Sequence, residues 1–181
     1  MRQILIGISL CVAGTASAGD CPESPSIKSE MDRLIADIRQ APNEMAARPI
    51  SNQMWELWLN APDETAQGML DQGLARLRVA DHDGAEATFT QLIEYCPDYA
   101  EGYNQLAFSK FLRGDHAAAL DDLDLAIARS PRHVGALSGR ALTLMGLGRT
   151  KAGQTALRKA LDINPWLSER SLLVEPKGED I

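Results

Sequence analysis

The chain predicts an all-α fold, a three-repeat solenoid of helical hairpins preceded by N-terminal capping helices, and three observations carry that prediction. Pro97, Pro131 and Pro165 stand 34 residues apart. Each closes a block, 66–99, 100–133 and 134–167, that holds two stretches of helical apolar periodicity around a short polar turn. Small residues recur at matching places in the three blocks, where two helices of a hairpin must approach closely. A fixed period of this length marks an array of stacked units, each too small to bury its own apolar face.

Residues 1–18 carry the marks of a signal peptide. Arg2 gives a positive start, Ile4 to Ala13 an apolar stretch too short to span a bilayer, and Ala16-Ser17-Ala18 a small-residue cleavage site. The expectation is export, to a periplasm or beyond the cell, of a chain that begins at Gly19 and has no membrane span after cleavage. A retained anchor helix is the alternative. Neither Cys11 nor Cys21 follows the small residues that resemble a lipoprotein signal. Composition agrees with one soluble domain: 181 residues, 45% hydrophobic and 24% charged. With 18 Lys and Arg against 25 Asp and Glu the net charge is -7, which opposes nucleic acid and anionic membranes as partners. Cleavage would leave Cys21 and Cys96 as the remaining thiols. In an oxidising compartment such a pair is expected to form a disulfide, with two free buried thiols as the alternative.

Residues 19–62 form the expected cap segment. Ile27, Met31, Leu34, Ile35 and Ile38 share one helical face, with Ser26 as candidate N-cap and Ala41-Pro42 as stop. A second helix is expected after Pro49, capped by Ser51 and carrying Met54, Trp55, Leu57, Trp58 and Leu59. This segment either covers an apolar end of the array or adds its aromatics to a binding surface. Asp63 reads as the N-cap of the array, 63–167. The hairpin turns fall at Val79-Ala80-Asp81-His82, Arg113-Gly114-Asp115-His116 and Leu147-Gly148-Arg149-Thr150, where Gly114 and Gly148 permit the positive φ of a helix end. Residues 168–181 are expected to give a short C-terminal cap, with Leu172 and Leu173 inward, and a loose acidic tail from Pro176.

The blocks resemble the tetratricopeptide repeat. Its pattern of large and small residues falls on Met69, Gly73, Ala85, Phe89, Leu92 and Pro97, then on Tyr103, Ala107, Ala119, Leu123, Ala126 and Pro131, then on Leu137, Ala141, Gly153, Leu157, Ala160 and Pro165. Leu92 and Gly153 depart from the usual alanine. The resemblance implies a superhelix whose inner surface is lined by the first helix of each hairpin. On those helices Leu70, Leu74 and Leu77, then Asn104, Phe108 and Phe111, then Ser138, Leu142 and Met145 share one face. Seven of these nine are apolar, and a contiguous apolar patch of that size marks an interaction site. Its occupant is expected to be an outside protein or peptide segment, apolar or amphipathic, or the chain's own N-terminal helices. The clamp that some family members use on chaperone C-termini needs Lys and Asn where this chain has Leu70 and Leu74. Related exported repeat proteins serve as assembly factors, so the resemblance implies a scaffold role and no catalysis or cofactor.

Motifs of catalysis are scarce. There is no paired-histidine metalloprotease helix, glycine-rich phosphate loop, Cys-x-x-Cys or Gly-x-Ser-x-Gly elbow. The alternative function is a metal-dependent factor or enzyme accessory subunit built on Asp81, His82, Asp83 and His116, since the two histidines hold equivalent repeat positions. Asp121, Asp122 and Asp124 are expected on a solvated face near a helix start.

Overall fold

The computed structural model describes residues 21–174. The expected leader, 1–18, and the tail from Pro176 lie outside the described residues. Among these, every regular element is helical: α1 Lys28–Gln40, α2 Glu44–Leu59, α3 Glu64–Arg78, α4 His82–Tyr95, α5 Ala100–Leu112, α6 His116–Arg129, α7 Val134–Gly146 and α8 Thr150–Ile163, then a 3-10 turn Ser168–Leu172. Helices α3–α4, α5–α6 and α7–α8 are three hairpins stacked in sequence order, α4 against α5 and α6 against α7.

Local chemistry sets the hairpin ends. Asp63 Oδ1 accepts the Ala66 N–H at 2.8 Å and opens α3. Asp81 and Asp115 do the same for α4 and α6, accepting from Gly84 at 3.0 Å and Ala118 at 3.2 Å. Gly114 and Gly148 turn the chain with φ +83° and +72°. In the first repeat Ala80 takes that role at φ +59°, a conformation that costs an L-residue about 1 kcal/mol. Packing follows the repeat pattern: Ala85, Phe89, Ala107, Ala119, Ala141 and Ala160 are all fully buried. A β-carbon on Gly73 would overlap the Phe89 ring, so the hairpin closes over a missing side chain there. Gly153 has a similar cause, because a β-carbon would sit 2.9 Å from the Ala141 carbonyl oxygen.

The N-terminal helices depart from expectation in two ways. Ser26 does not cap α1; Ile27 occupies that place with no side-chain bond. Helix α2 starts five residues before Pro49 rather than after it, because Asn43 accepts the Ala46 N–H at 3.0 Å. Pro49 then removes one hydrogen bond near the helix start, from the carbonyl of Met45, a residue that is 83% exposed. Ser51 lies inside the helix, where its hydroxyl accepts from Asn164 Nδ2 at 2.9 Å.

The sequence leaves open which end of the array this segment covers. Helices α1 and α2 precede the first repeat but bury their apolar faces on the third. Met31, Leu34, Ile35, Ile38, Met54 and Trp58 share one core with Val134, Leu137, Ala160 and Ile163. Trp166 Nε1 donates to the Ile38 carbonyl at 3.2 Å and Arg39 Nε to the Asp162 carbonyl at 2.7 Å. Ion pairs Arg170–Glu44 and Arg132–Asp32 flank the contact. Meanwhile Cys21 is joined to Cys96 at the end of α4, with Cα atoms 5.2 Å apart, and Leu59 and Ala61 pack in the core of the first repeat. The segment therefore leaves the first repeat, crosses to the third and returns: it is a strap.

Beyond α8, Leu173 packs on the core of the last hairpin. Leu172 points outward at 46% exposure, contrary to expectation, because its carbonyl is turned to Gln154 Nε2 at 2.8 Å.

Candidate peptide-binding groove

Helices α3, α5 and α7, the first of each hairpin, line a groove of about 580 Å³. Of the nine residues expected on this face, Leu74, Leu77, Asn104, Phe108, Phe111, Ser138 and Leu142 line it. Phe108 is 47% exposed, high for a phenylalanine. Leu70 and Met145 belong elsewhere. Leu70 is fully buried beside Phe89, Leu92 and Leu106, where the second repeat covers it. Met145 packs on the core around Leu144, Ala156 and Leu157, drawn over the space that Gly153 leaves without a side chain.

The strap does not fill the groove with its apolar faces, which are spent on the third repeat. It contributes Trp55, whose ring lies against Gly135 at one part of the lining. The two aromatic roles weighed from sequence thus divide between neighbours: Trp55 joins the groove and Trp58, 4% exposed, joins the core. Charged lining among the described residues is limited to Arg78 and Glu169. Polar groups gather on α5 and α7: Asn104, Gln105, Ser138 and Thr143, whose buried hydroxyl has no partner among the described residues.

Beneath the polar part lies a network that no periodicity announced. Glu101 is 1% exposed and His133 fully buried. The Glu101 carboxylate takes His133 Nε2 at 2.6 Å, Gln105 Nε2 at 2.5 Å and Asn104 Nδ2 at 3.2 Å. His133 Nδ1 in turn accepts the Ala136 N–H at 3.2 Å and caps α7. The imidazole stacks on the Trp58 indole with centroids 4.4 Å apart, and the Trp58 carbonyl accepts the Tyr99 hydroxyl at 2.7 Å. Burial, then the nearby Glu101 charge, pushes the Tyr99 phenol upward, so it stays a donor. The sequence offered one hint, a histidine in the N-cap place of α7.

The Asp and His turn residues do not converge. Asp81 is engaged by the Gly84 amide and by Arg76 at 2.8 Å, and Asp83 by Arg113 Nε at 3.0 Å from the next repeat. The same backbone bond, followed by Arg76, holds the Asp81 carboxyl below its ordinary range. The His116 ring lies against Phe111 at 4.9 Å between centroids. Among the described residues no group of three or more His, Cys, Asp or Glu is placed to hold a metal. Asp122 departs from the solvated face expected of it: it is 7% exposed and pairs with Lys110 at 2.7 Å. Desolvation raises its carboxyl more than Lys110 lowers it.

Comparison with known proteins agrees with the fold. The family described as Tetratricopeptide repeat matches residues 134–165. A TPR repeat-containing protein of Rhizobium etli is 27% identical over 78% of this chain and 70% of its own length. A Tetratricopeptide repeat protein 36 homolog of Nematostella vectensis is 40% identical over 39% of this chain, which spans only 38% of that relative. Among solved structures, the first TPR of Spaghetti (RPAP3), bound to the HSP90 peptide SRMEEVD, superposes with a TM-score of 0.58 at 20% identity, over 59% of this chain and 85% of that one. At that identity the likeness speaks for the fold alone.

Proposed function

The chain is a small, all-helical tetratricopeptide-repeat protein, and from that premise we propose that it works as a protein-binding scaffold or assembly factor, docking an apolar or amphipathic segment of a partner polypeptide in its concave groove. One observation carries the reading: Leu74, Leu77, Phe108, Phe111 and Leu142 line one open groove of about 580 Å³. Unfilled apolar surface of this kind is costly unless something covers it in use. The solved relative holds a peptide, but that peptide, SRMEEVD, is rich in acid. Here the lining is mainly hydrocarbon, so the preferred segment presents Leu, Ile, Phe or Met side chains rather than a carboxylate. The work is binding, not catalysis.

The expected leader at residues 1–18 supports a further part of the proposal, that the scaffold acts after export, in a periplasm or outside the cell. In that compartment the Cys21–Cys96 pair persists as a disulfide.

Affinity capture from the exporting cell tests the function, comparing wild type with Phe108→Asp and Leu74→Asp. Each variant places a charge where a partner's apolar side chain would sit, and is expected to lose the captured polypeptide at least about tenfold while keeping its helix content. Equal capture by all three proteins contradicts the groove reading. N-terminal sequencing of the exported protein tests localisation, with Gly19 expected first.

A further inference from the structure

The buried carboxylate of Glu101 has donors on every side. Its Oε1 faces Gln105 Nε2, and its Oε2 faces both Asn104 Nδ2 and His133 Nε2. Those donors belong to different parts of the molecule. Asn104 and Gln105 line the groove, whereas His133 is the surface on which the strap's Trp58 stacks. One side chain therefore orients the polar wall of the groove and the seat of the strap together.

The hydrogen bonds also fix the charge state. His133 Nδ1 accepts an amide hydrogen from Ala136, so it carries none itself. The ring's single proton is then on Nε2, pointing at Glu101 Oε2, and the ring is neutral. Glu101 bears the buried charge, two residues into α5, where the helix dipole favours an anion. Among the described residues no Lys or Arg side chain reaches that carboxylate. Asn104 and Gln105 from α5 and His133 at the head of α7 face the carboxylate, while neutral Trp55 and Trp58 from α2 face the His133 ring, and Tyr99 from the α4–α5 connection bonds to the Trp58 carbonyl. The charges of Asp71 and Glu101 both act on Tyr99. Adjacent Arg132 is turned away to Asp32.

We infer that Glu101 is a positioning residue and, with neutral His133, an acid-sensitive latch that couples the strap to the groove wall. An added proton has no place in the network as built. On His133 Nδ1 it would face the Ala136 N–H, donor against donor, and uncap α7. On Glu101 it would face only donors and force Gln105 or Asn104 to turn its amide. Either event disturbs the Trp58 seat and the Asn104–Gln105 wall at once. The part of this inference that concerns the groove wall rests on the docking reading above; the part that concerns the ring and the strap does not.

Nitrogen-15 NMR of the full chain decides it without any ligand. At about pH 7.5 the His133 ring is expected as the pure Nε2–H tautomer, assigned by loss of its signals in His133→Asn. A ring protonated on Nδ1, alone or with Nε2, overturns the inference on wild-type protein, whether or not a variant folds. On acidification to about pH 4.5 the protection factor of the Ala136 amide is expected to fall about fivefold or more, together with a change in Trp58 fluorescence. His133→Asn keeps a capping acceptor and removes the imidazole, so the acid transition is expected to vanish from both signals. An unchanged transition in that variant overturns the latch. Failure of Phe108→Asp to lose its partner would end the docking reading while leaving these measurements untouched.

Discussion

Replacing Trp58 by alanine measures how far the strap is part of the fold. Trp58 is 4% exposed, stacks on His133, meets Trp55 edge-on with centroids 5.5 Å apart, and lies in the core that joins α1 and α2 to the third repeat. Its backbone carbonyl, which holds the Tyr99 hydroxyl, survives the substitution. The loss is therefore of buried aromatic surface alone, and Trp→Ala at such a site costs about 3–5 kcal/mol, with the cavity as part of the cost. For a domain of this size a urea slope of about 2 kcal/mol/M turns that into a midpoint lower by about 2 M. Trp55→Ala is the internal control, since Trp55 is only half buried and faces the groove; about 1–2 kcal/mol is expected. Urea unfolding followed by circular dichroism gives both values, as helix signal does not depend on which tryptophan remains. Equal losses for the two variants, or a Trp58→Ala loss below about 1 kcal/mol, would refute the view that the strap is docked through Trp58.

Other expectations follow from the same contacts. Reducing the Cys21–Cys96 bond, which spans 75 residues, is expected to lower stability by about 4 kcal/mol less any native strain, on the chain-entropy account; two free thiols in the oxidised, denatured protein would remove the premise. Gly153→Ala, favourable by helix propensity, is expected instead to destabilise by about 1–2 kcal/mol in thermal unfolding, because the new methyl meets the Ala141 carbonyl oxygen and Met145. The carboxyls of Asp63 and Asp81 are both held below the ordinary range, chiefly by the Ala66 and Gly84 amides that they cap. Their folded values lie under their unfolded ones, so the stability they add is present above the ordinary carboxylate range and disappears as pH falls through the folded values. Denaturation midpoints across that range should drop less steeply in Asp81→Asn than in wild type.

Much of the array was legible because it is local and repeated. The prolines at 34-residue intervals, Asp63 as a cap, and the small residues at Ala85, Ala119 and Ala141 each state a condition that neighbouring turns of helix must meet. Periodicity also found the apolar stripe of α3, α5 and α7, yet could not separate its edge from its centre. Leu70 sits one turn from Leu74 on the same stripe and is lost to the core only because the next repeat covers it. What stayed hidden depends on distance along the chain. Nothing in the face of α1 says which repeat receives it, since any apolar edge would satisfy Leu34 and Ile38 equally. Glu101 and His133, 32 residues apart, each look like ordinary surface residues until stacking brings them to 2.6 Å. Asn43 and Pro49 show local signals in conflict: the cap fixed the helix start, and the proline was absorbed at one lost bond.

The most direct test of the groove as the working surface is photo-crosslinking in the exporting cell. A photoreactive residue at position 108 or 142 lies in the groove lining, and one at position 125, exposed on a second helix, serves as the control. The account predicts a discrete crosslinked polypeptide from positions 108 and 142 and none from position 125. Crosslinking from position 125 alone, or equally from all three, would contradict it.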